Sequence, residues 1–265
     1  MALELRNPHS ILATLQARSG DVEVIALPPR GGGVWGEIAT RAQEAGVPVR
    51  PVETPDERRE GRRGGRSGAA KQGREGAGYA LIEERKAETL GALLERGEGE
   101  QGVWLALDSI QDPRNVGAIF RSAAFFGVRG VVLGENRAAA LTAVSYDTAS
   151  GGLESVPFAV ETNLRRALTA AKAAGLWILG TSEHAEQSIE AVPRDRDWLL
   201  VVGNEERGLR RLTLDVCDTV CAIGGRGAVG GIGGVGDGEG QEAPVRSLNV
   251  SVATGIALAM LGRAG

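Results

Sequence analysis

From Val103 onward, short apolar segments alternate with segments of helical periodicity, and this alternation limits the fold more than any other feature of the chain. The strand candidates are VWLAL, GVVLG, VPFAV, LWILG, WLLVVG and TVCAIG. Helices are predicted over residues 116–126, 164–174 and 250–261. Strands and helices that alternate in this way predict an α/β domain with a mainly parallel sheet and helices on both faces. Ligands of such sheets bind beyond the carboxyl ends of the strands.

The first part of the chain has a separate and smaller pattern. Residues 8–54 show helix, strand, helix and strand in turn, so we assign residues 1–55 to a small α/β domain. Residues 56–78 contain seven Lys or Arg, four Asp or Glu, many glycines and almost no large apolar residue. This composition predicts a flexible basic linker that acts either as a solvated tether or as an RNA-contacting arm. Residues 79–265 form the second predicted domain.

Composition excludes several classes of protein. The net charge of −4 argues against a wholly basic nucleic-acid coat, although it leaves room for a local basic patch. Cys217 and Cys221 are the only cysteines, and we predict that both are buried free thiols. His9 and His184 lie far apart in the sequence, so no metal site is predicted. Neither a signal peptide nor an apolar stretch of about 18 residues is found, so we expect a cytoplasmic protein and no membrane partner.

The first motif, LDSIQDPRNVGAIFRSAAFFGV, follows the strand candidate VWLAL. A helix is predicted to begin near Asn115, with a buried stripe at Val116, Ile119, Phe120 and Ala123. Arg121 lies on the same side of this helix as Gly117, which we interpret as room for a ligand beside an arginine. An arginine in a surface salt bridge is the alternative interpretation.

The second motif, LLVVGNEERGL, is a buried strand followed by a glycine-rich turn. Gly203 and Gly208 allow the backbone to approach a ligand closely, and Glu205 can accept hydrogen bonds there. The alternative is an ordinary turn in which the glycines serve the backbone alone.

The third motif, SLNVSVATGIALAM, places Ser247 and Asn249 just before a helix, where they can cap the helix or contact a ligand. Small residues follow in that helix at Ala253, Gly255 and Ala257. They permit close packing, either within the core or across a dimer interface.

Together, DPRNVGAIFRSA, GNEERGL and SLNVSVA resemble the three ordered motifs of the SpoU (TrmH) family of RNA ribose 2′-O-methyltransferases, which belongs to the SPOUT class. The likeness runs from about residue 103 to residue 261. The N-terminal domain is similar to the small ribosomal-protein-L30-like domain that many members use to bind RNA. The whole layout looks most like the bacterial subgroup that methylates a guanosine of 23S rRNA, and a tRNA 2′-O-methyltransferase is the alternative enzyme.

The resemblance implies a fold and a chemistry that periodicity alone does not reveal. The C-terminal domain would be an α/β domain tied in a trefoil knot, and it would bind S-adenosyl-L-methionine. Members form homodimers through this domain and act on RNA, and neither DNA nor a metal ion is implied. The methyl donor supplies the reactivity, while the protein positions the ribose hydroxyl.

Motif matching also carries residue roles onto this sequence. Arg121 matches the catalytic arginine of the family, and its supporting polar residues match Asn115, Glu205, Ser247 and Asn249. The positions that contact the cofactor match Gly203, Ile223 and Leu248. Because arginine stays protonated in proteins, we expect Arg121 to grip phosphate and ribose rather than to act as a simple base.

Two segments depart from the family pattern. The sequence REGAGYA stands where related proteins often carry an HQG-like stretch, which puts RNA contacts at that position in question. A glycine-rich insertion occupies residues 224–245 between Ile223 and the third motif, and ten of the seventeen residues from 224 to 240 are glycine. We expect that removing residues 227–240 leaves folding intact.

The insertion keeps two further interpretations open. GRGAVG and GIGGVG both satisfy G-x-G-x-x-G after a strand, as in a dinucleotide-binding oxidoreductase, but the helix and the acidic residue of that fingerprint are missing. An RNA-binding protein that keeps the fold without catalysis is the other interpretation, because the insertion lies where related proteins wrap the cofactor.

Overall fold

The computed structural model describes residues 2–29, 32–52, 78–95, 101–135, 139–223 and 248–262. The predictions for the linker up to residue 77, for the insertion at 224–245, for its two G-x-G-x-x-G sequences and for Ser247 lie outside the described residues. The elements of the first part are β1 (Ala2–Leu5), α1 (Pro8–Arg18), β2 (Val22–Leu27), α2 (Val34–Glu44), β3 (Val49–Pro51) and β4 (Tyr79–Glu83).

The second part contains the longer alternation of strands and helices. Its elements are α3 (Leu90–Leu94), β5 (Val103–Asp108), α4 (Pro113–Phe125), β6 (Gly130–Gly134), α5 (Ala143–Ala149), α6 (Gly152–Ser155), β7 (Phe158–Glu161), α7 (Leu164–Ala173), β8 (Trp177–Thr181), β9 (Gln187–Ser188), β10 (Trp198–Gly203), α8 (Arg211–Leu214), β11 (Thr219–Ala222) and α9 (Val250–Leu261). All six predicted strands and all three predicted helices of this part are present. The two-residue strand β9 was not predicted.

The first part forms a four-stranded mixed sheet in the order β1-β4-β2-β3. β4 pairs antiparallel with both β1 and β2, while β2 and β3 are parallel. The sequence-based division placed residues 79–83 in the second domain, but β4 lies between two strands of the first sheet. Its side chains explain this, since Ala80 and Ile82 are buried in the same hydrophobic cluster as Ile25 of β2. The boundary between the two sheets therefore follows Glu83.

The second part forms a seven-stranded sheet in the order β7-β6-β5-β10-β8-β11-β9. Every pairing described in this sheet is parallel, which confirms the predicted α/β fold with a mainly parallel sheet. Its strands read as nearly continuous apolar runs because helices cover both faces.

The centre of this sheet brings the first two motifs together. β5 and β10 are neighbours, with Leu107 opposite Val202 and Asp108 opposite Gly203 at their carboxyl ends. From β5 the chain proceeds to β6 on one side, whereas β10 has β8 on its other side. The order of the strands reverses between β5 and β10, and such a switch point leaves a crevice beyond the strand ends.

A single hydrophobic cluster connects the two sheets. Ile11 and Ile25 of the first part belong to the same buried cluster as Phe120 and Tyr146 of the second. The opposite face of the large sheet has its own cluster, which is centred on α7 and includes Leu168. Burying one such large side chain stabilises the fold by about 1.5–3 kcal/mol, so the shared cluster ties the two parts together.

The helix of the first motif, α4, begins earlier than its apolar pattern indicated. Pro113 occupies its first turn, and the side chain of Asp112 caps it by accepting a hydrogen bond of 2.8 Å from the backbone N–H of Arg114. Asn115 therefore lies inside the first turn. The predicted stripe of Val116, Ile119, Phe120 and Ala123 is buried.

Candidate active site

Three of the predicted polar residues meet beyond the carboxyl ends of β5 and β10. Asn115 donates a hydrogen bond of 2.6 Å from its Nδ2 to Oε1 of Glu205, although the two residues are 90 positions apart. Asn249 in turn donates from its Nδ2 to Oδ1 of Asn115 at 3.0 Å. We call this chain of hydrogen bonds through Asn115, Glu205 and Asn249 the strand-end network.

The local backbone orients two members of the strand-end network. Asn249 caps α9, because its Oδ1 accepts hydrogen bonds from the backbone N–H of Ser251 at 2.9 Å and from the Ser251 hydroxyl at 2.6 Å. This leaves the Nδ2 of Asn249 free to reach Asn115. Asn115 projects from the first turn of α4, which the proline and the Asp112 cap hold in place. The amide groups are thus positioned by two helix starts.

Glu205 lies in a tight turn that Asn204 and Gly208 close. Their backbone groups exchange two hydrogen bonds, and Oδ1 of Asn204 accepts from the N–H groups of Glu206 and Arg207. Gly208 has a φ of +63°, and a Cβ on Gly203 would lie 2.5 Å from the carbonyl oxygen of Gly208. Both glycines are therefore required by the turn itself.

Sequence reasoning missed two residues that hold this turn in place. Asp108, which is fully buried at the end of β5, binds Nε of Arg210 at 2.6 Å, the hydroxyl of Thr213 at 2.7 Å and the backbone N–H of Arg210 at 3.1 Å. The carbonyl of Ser109 accepts a hydrogen bond of 3.1 Å from Nδ2 of Asn204. Two consecutive residues thus fix both ends of the turn that carries Glu205. The sequence does contain a signal for Asp108, because an acidic residue at the end of a buried apolar strand is unusual.

Arg121 projects from α4 into solvent. It lies six residues beyond Asn115, about 9 Å along the helix axis. Within the described residues its side chain makes no hydrogen bond or ion pair, so the surface salt bridge of the alternative interpretation is not found there. Its guanidinium is available to an anionic ligand.

The interpretation of Gly117 as room for a ligand was wrong. A Cβ on Gly117 would collide with the carbonyl oxygen of Ser145 and would lie 2.7 Å from Cβ of Thr148. The helix α5 fills the space beside Gly117, and the glycine permits that close approach of two helix backbones. The sequence could not distinguish this packing from a ligand pocket, because both need a residue without a side chain.

The two predicted apolar contact residues border the insertion. Ile223 follows β11 and packs, partly buried, against the main hydrophobic cluster. Leu248 directly precedes Asn249 and keeps 38% of its surface exposed. Leu248 is thus an exposed apolar side chain next to the strand-end network.

The charges of the site are unbalanced within the described residues. The Glu205 carboxylate contacts only the neutral amides of Asn115 and Asn204 there, and Arg121 has no anionic partner. A part-buried carboxylate without a cation attracts a positively charged group. Carboxylate, amides and an apolar side chain together suit a ligand that is both cationic and partly apolar, and an exposed guanidinium suits a phosphate.

The cysteines take no part in this arrangement. Both are free, and Cys221 is buried while Cys217 is partly buried. Burial raises the pKa of the Cys217 thiol to about 11 and that of the Cys221 thiol to about 12. Protonated thiols are poor nucleophiles and poor metal ligands. In the described ranges, no group of three or more His, Cys, Asp or Glu side chains has the arrangement of a metal site, and no helix reaches the length and apolar character of a bilayer span.

Comparison with known proteins matches the first two motifs to one family model and the chain to a set of curated relatives. Residues 102–231 match the SpoU rRNA Methylase family. A 23S rRNA (guanosine-2′-O-)-methyltransferase RlmB of Nitrosomonas europaea is 40% identical over 174 residues, which cover 66% of this chain and 60% of that protein. The protein of the same name from a Burkholderia species is also 40% identical, over 178 residues that cover 67% and 65%. This chain therefore spans less than two thirds of the length of either relative.

A third relative has a less specific name, and a solved structure extends the likeness over the whole chain. An uncharacterized tRNA/rRNA methyltransferase of Mycolicibacterium vanbaalenii is 37% identical over 183 residues, which cover 69% of this chain and 50% of that protein. The SpoU methyltransferase AviRb from Streptomyces viridochromogenes, solved in complex with AdoMet, superposes with a TM-score of 0.73. The superposition covers 99% of this chain and 90% of AviRb at 20% identity, so it establishes a shared fold.

Proposed function

We propose that this chain belongs to the SpoU rRNA methylase family, whose model matches residues 102–231, and that it transfers a methyl group from S-adenosyl-L-methionine to a ribose 2′-hydroxyl of RNA. The substrate we propose is a guanosine of 23S rRNA, since two relatives at 40% identity are named for that reaction. The observation that carries the proposal is the strand-end network, in which one residue from each of the three motifs takes part.

The cofactor site that we propose lies at the crevice between β5 and β10. The backbone near Gly203 and the side chains of Ile223 and Leu248 would hold S-adenosyl-L-methionine, and the uncompensated carboxylate of Glu205 would balance its positive charge. When bound, this group supplies an electrophilic methyl carbon. A partly apolar, cationic ligand fits the exposed Leu248 and the neutral partners of Glu205.

Arg121 is the residue to which we assign the substrate contact. Its guanidinium presents a planar fork of donors, which matches the geometry of a phosphate and can stabilise negative charge on the ribose oxygen. Asn115, Glu205, Ser247 and Asn249 would position the ribose and the cofactor relative to each other. Glu205, and not Arg121, is the group that can accept a proton.

The remaining parts of the proposal concern architecture and assembly. We assign residues 1–55 to an L30-like RNA-binding domain, residues 56–78 to a linker, and residues 79–265 to the methyltransferase domain, with the boundary shift at β4 described above. A trefoil knot in the second domain belongs to the same proposal. The place of action would be the cytoplasm, on ribosomal RNA.

A homodimer through the second domain is supported by one exposed surface. Phe125 of α4 is 83% exposed, and Phe126 and Val252 are also exposed. α4 and α9 pack against each other near Ser122 and Gly255. A helix that is apolar on nearly all sides, such as α9, needs neighbours on more than one face. A second copy of the chain would cover this surface.

Methyl transfer by the purified chain is the direct test. We expect the wild-type protein to transfer tritiated methyl groups from S-adenosyl-L-methionine to an unmodified 23S rRNA transcript, and Arg121→Ala to lower kcat/KM by at least about 100-fold. Arg121→Lys should also lose methyl transfer, because an ammonium group cannot form the forked contact of a guanidinium. Arg165→Ala, which removes another exposed arginine on α7, is the matched control. Full activity of Arg121→Ala would refute the role.

The choice between ribosomal and transfer RNA needs a separate experiment, because one relative is named for both. Mapping of 2′-O-methyl groups in rRNA and tRNA, from cells with and without the gene, decides it. A lost methyl group in 23S rRNA is the expected result, and a lost methyl group in tRNA alone would replace the proposed substrate. If a folded protein bound no S-adenosyl-L-methionine in calorimetry, an RNA-binding role without catalysis would be favoured instead.

A further inference from the structure

A buried ion pair joins the first helix of the chain to the short helix α6. Arg18 binds Glu154 with two hydrogen bonds, from Nε to Oε2 at 2.8 Å and from Nη2 to Oε1 at 2.9 Å. The two side chains keep only 13% and 3% of their surface exposed. The hydroxyl of Thr14 lies 3.0 Å from Oε1 of Glu154. The first part of the chain is therefore attached to the second by a charge pair that is largely withdrawn from water.

Arg18 has further partners that extend this contact to the four-stranded sheet. Its Nη1 donates to the carbonyl of Glu83 in β4 at 2.7 Å and to Asp21 at 3.0 Å. Burial acts to lower the pKa of Arg18, but the hydrogen bonds to Glu154 and Asp21 outweigh it and raise the pKa. Arg18 thus stays charged and links α1, the helix to which it belongs, to the strand β4 and the helix α6.

A second set of contacts lies one helix away, at α5. The carboxylate of Asp147 accepts hydrogen bonds from the backbone N–H of Asn7 at 2.8 Å and of Arg6 at 3.0 Å. The side chain of Asn7 donates to the carbonyl of Asp147 and to the hydroxyl of Ser150, each at 2.8 Å. These contacts fix the start of α1, while Glu154 fixes its end. Two separated attachment points prevent rotation of one part about the other.

Helices α5 and α6 contact the helix of Arg121 on their other side, where glycines permit backbone contact. A Cβ on Gly117 of α4 would collide with the carbonyl oxygen of Ser145 in α5. A Cβ on Gly152 of α6 would lie 2.6 Å from the carbonyl oxygen of Phe120 and 3.0 Å from Cα of Arg121. No flexible side chain separates the elements at these contacts, so a shift of α6 must move α4.

We propose that Glu154 is a positioning residue: it locks the first part of the chain onto residues 143–155 and thereby sets where RNA held by that part meets Arg121. The inference rests on the proposed function. These contacts hold the first part of the chain in place independently of the predicted linker. RNA binding and methyl transfer then use one rigid surface that extends from α1 to Arg121.

The test compares Glu154→Gln and Asp147→Asn with Glu37→Gln in the intact 265-residue chain. Glu37 forms an exposed pair with Arg41 in α2 at 3.4 Å, so it provides a matched control in the same part of the chain. Hydrogen exchange of the backbone amides in residues 2–18 and 143–155 measures docking. Methyl transfer to an unmodified 23S rRNA transcript and calorimetry with S-adenosyl-L-methionine measure function.

We expect Glu154→Gln to speed exchange in both segments by about 10-fold and to raise KM for the transcript by about 5- to 10-fold. Asp147→Asn should show the same pattern, and Glu37→Gln should behave as the wild type. We expect kcat and the affinity for S-adenosyl-L-methionine to change by less than about twofold, because the substitution loosens the first part of the chain and leaves intact the glycine contacts that hold α5 and α6 against α4. A purely structural weakening would not separate KM from kcat in this way.

Three results would overturn the inference. The first is faster exchange with an unchanged KM, and the second is a loss of kcat at constant KM. The third is exchange at residues 2–18 that does not respond to Glu154→Gln. An inactive wild-type protein would overturn the proposed function itself, and it would be recognised because exchange would still respond to Glu154→Gln. Because Asp147→Asn breaks a different attachment point, a Glu154→Gln protein that fails to fold leaves the test intact.

Discussion

Two polar regions of this molecule differ in how they balance charge. At the docking contact between α1 and α6, the buried Glu154 carboxylate meets a guanidinium in a two-point contact. At the strand-end network, the Glu205 carboxylate meets only neutral amides among the described residues. A buried pair that is complete in itself serves the structure, whereas an unbalanced, part-buried charge is available to a ligand.

A third carboxylate falls between these two cases. Asp108 is fully buried and binds Arg210, as Glu154 binds Arg18, but it belongs to the turn that carries Glu205. Its guanidinium partner is 42% exposed, so part of that charge remains in water. We therefore expect the cost of removing a carboxylate to fall from Glu154 through Asp108 to Glu205.

The largest effect on stability is expected from Glu154→Ala. The substitution leaves the Arg18 guanidinium largely buried without its main anionic partner, so the free energy of unfolding should fall by about 3 kcal/mol or more. Urea denaturation followed by circular dichroism measures the change. Glu37→Ala, which breaks the exposed pair with Arg41, should stay within about 0.5 kcal/mol of the wild type. Equal effects of the two variants would show that the docking contact stabilises the fold no more than an exposed surface ion pair does.

A smaller effect is expected from Asp108→Asn. The amide keeps the shape of the carboxylate but cannot accept all the hydrogen bonds from Arg210 and Thr213, so stability should fall by about 1–2 kcal/mol. The turn that carries Glu205 should also loosen, which hydrogen exchange at residues 204–210 can detect. Asp112→Asn is the control, because asparagine caps a helix as well as aspartate does. Unchanged exchange at the turn would contradict the anchoring role of Asp108.

The smallest effect on stability is expected from Glu205→Gln. An amide can replace the carboxylate toward Asn115 and Asn204, so the free energy of unfolding should change by less than about 0.5 kcal/mol. Affinity for S-adenosyl-L-methionine should nevertheless fall by about 10-fold, because a charge that attracts the cation is lost. The exposed neighbour Glu206 supplies the control, Glu206→Gln. If Glu205→Gln proved as destabilising as Glu154→Ala, the contrast between the two regions would fail.

The parts of the fold that follow from local pattern could be predicted. All six apolar strand candidates of the large sheet are strands, because buried parallel strands are apolar throughout and stand out in any sequence. β1 and β4 were missed, since ALEL and YALIE are short and their pairing joins residues about 80 positions apart. The boundary at residue 79 was misplaced for the same reason: the length of the intervening linker does not reveal which sheet β4 joins.

Motif matching named residues that meet in the structure, but it did not reveal the contacts between them. Family motifs named Asn115, Glu205 and Asn249, and the sheet order explains why these three meet. Gly117 was misinterpreted because a glycine that admits a helix and one that admits a ligand look the same in sequence. The Arg18–Glu154 pair, with partners 136 positions apart, has no periodic signature at all. Charge pairs between distant segments depend on tertiary packing, which a single sequence does not encode locally.

The central pairing of β5 with β10 also has a consequence for the synthesis of the protein. The turn that carries Glu205 is anchored 95 positions earlier, and Asn249 reaches back 134 positions to Asn115. A contact cannot form before both of its segments have been synthesised. While translation is under way, the nascent chain can complete α1 and its contacts with α5 and α6, but not the strand-end network. The surface proposed to hold RNA would therefore be finished before the chain is able to act on it.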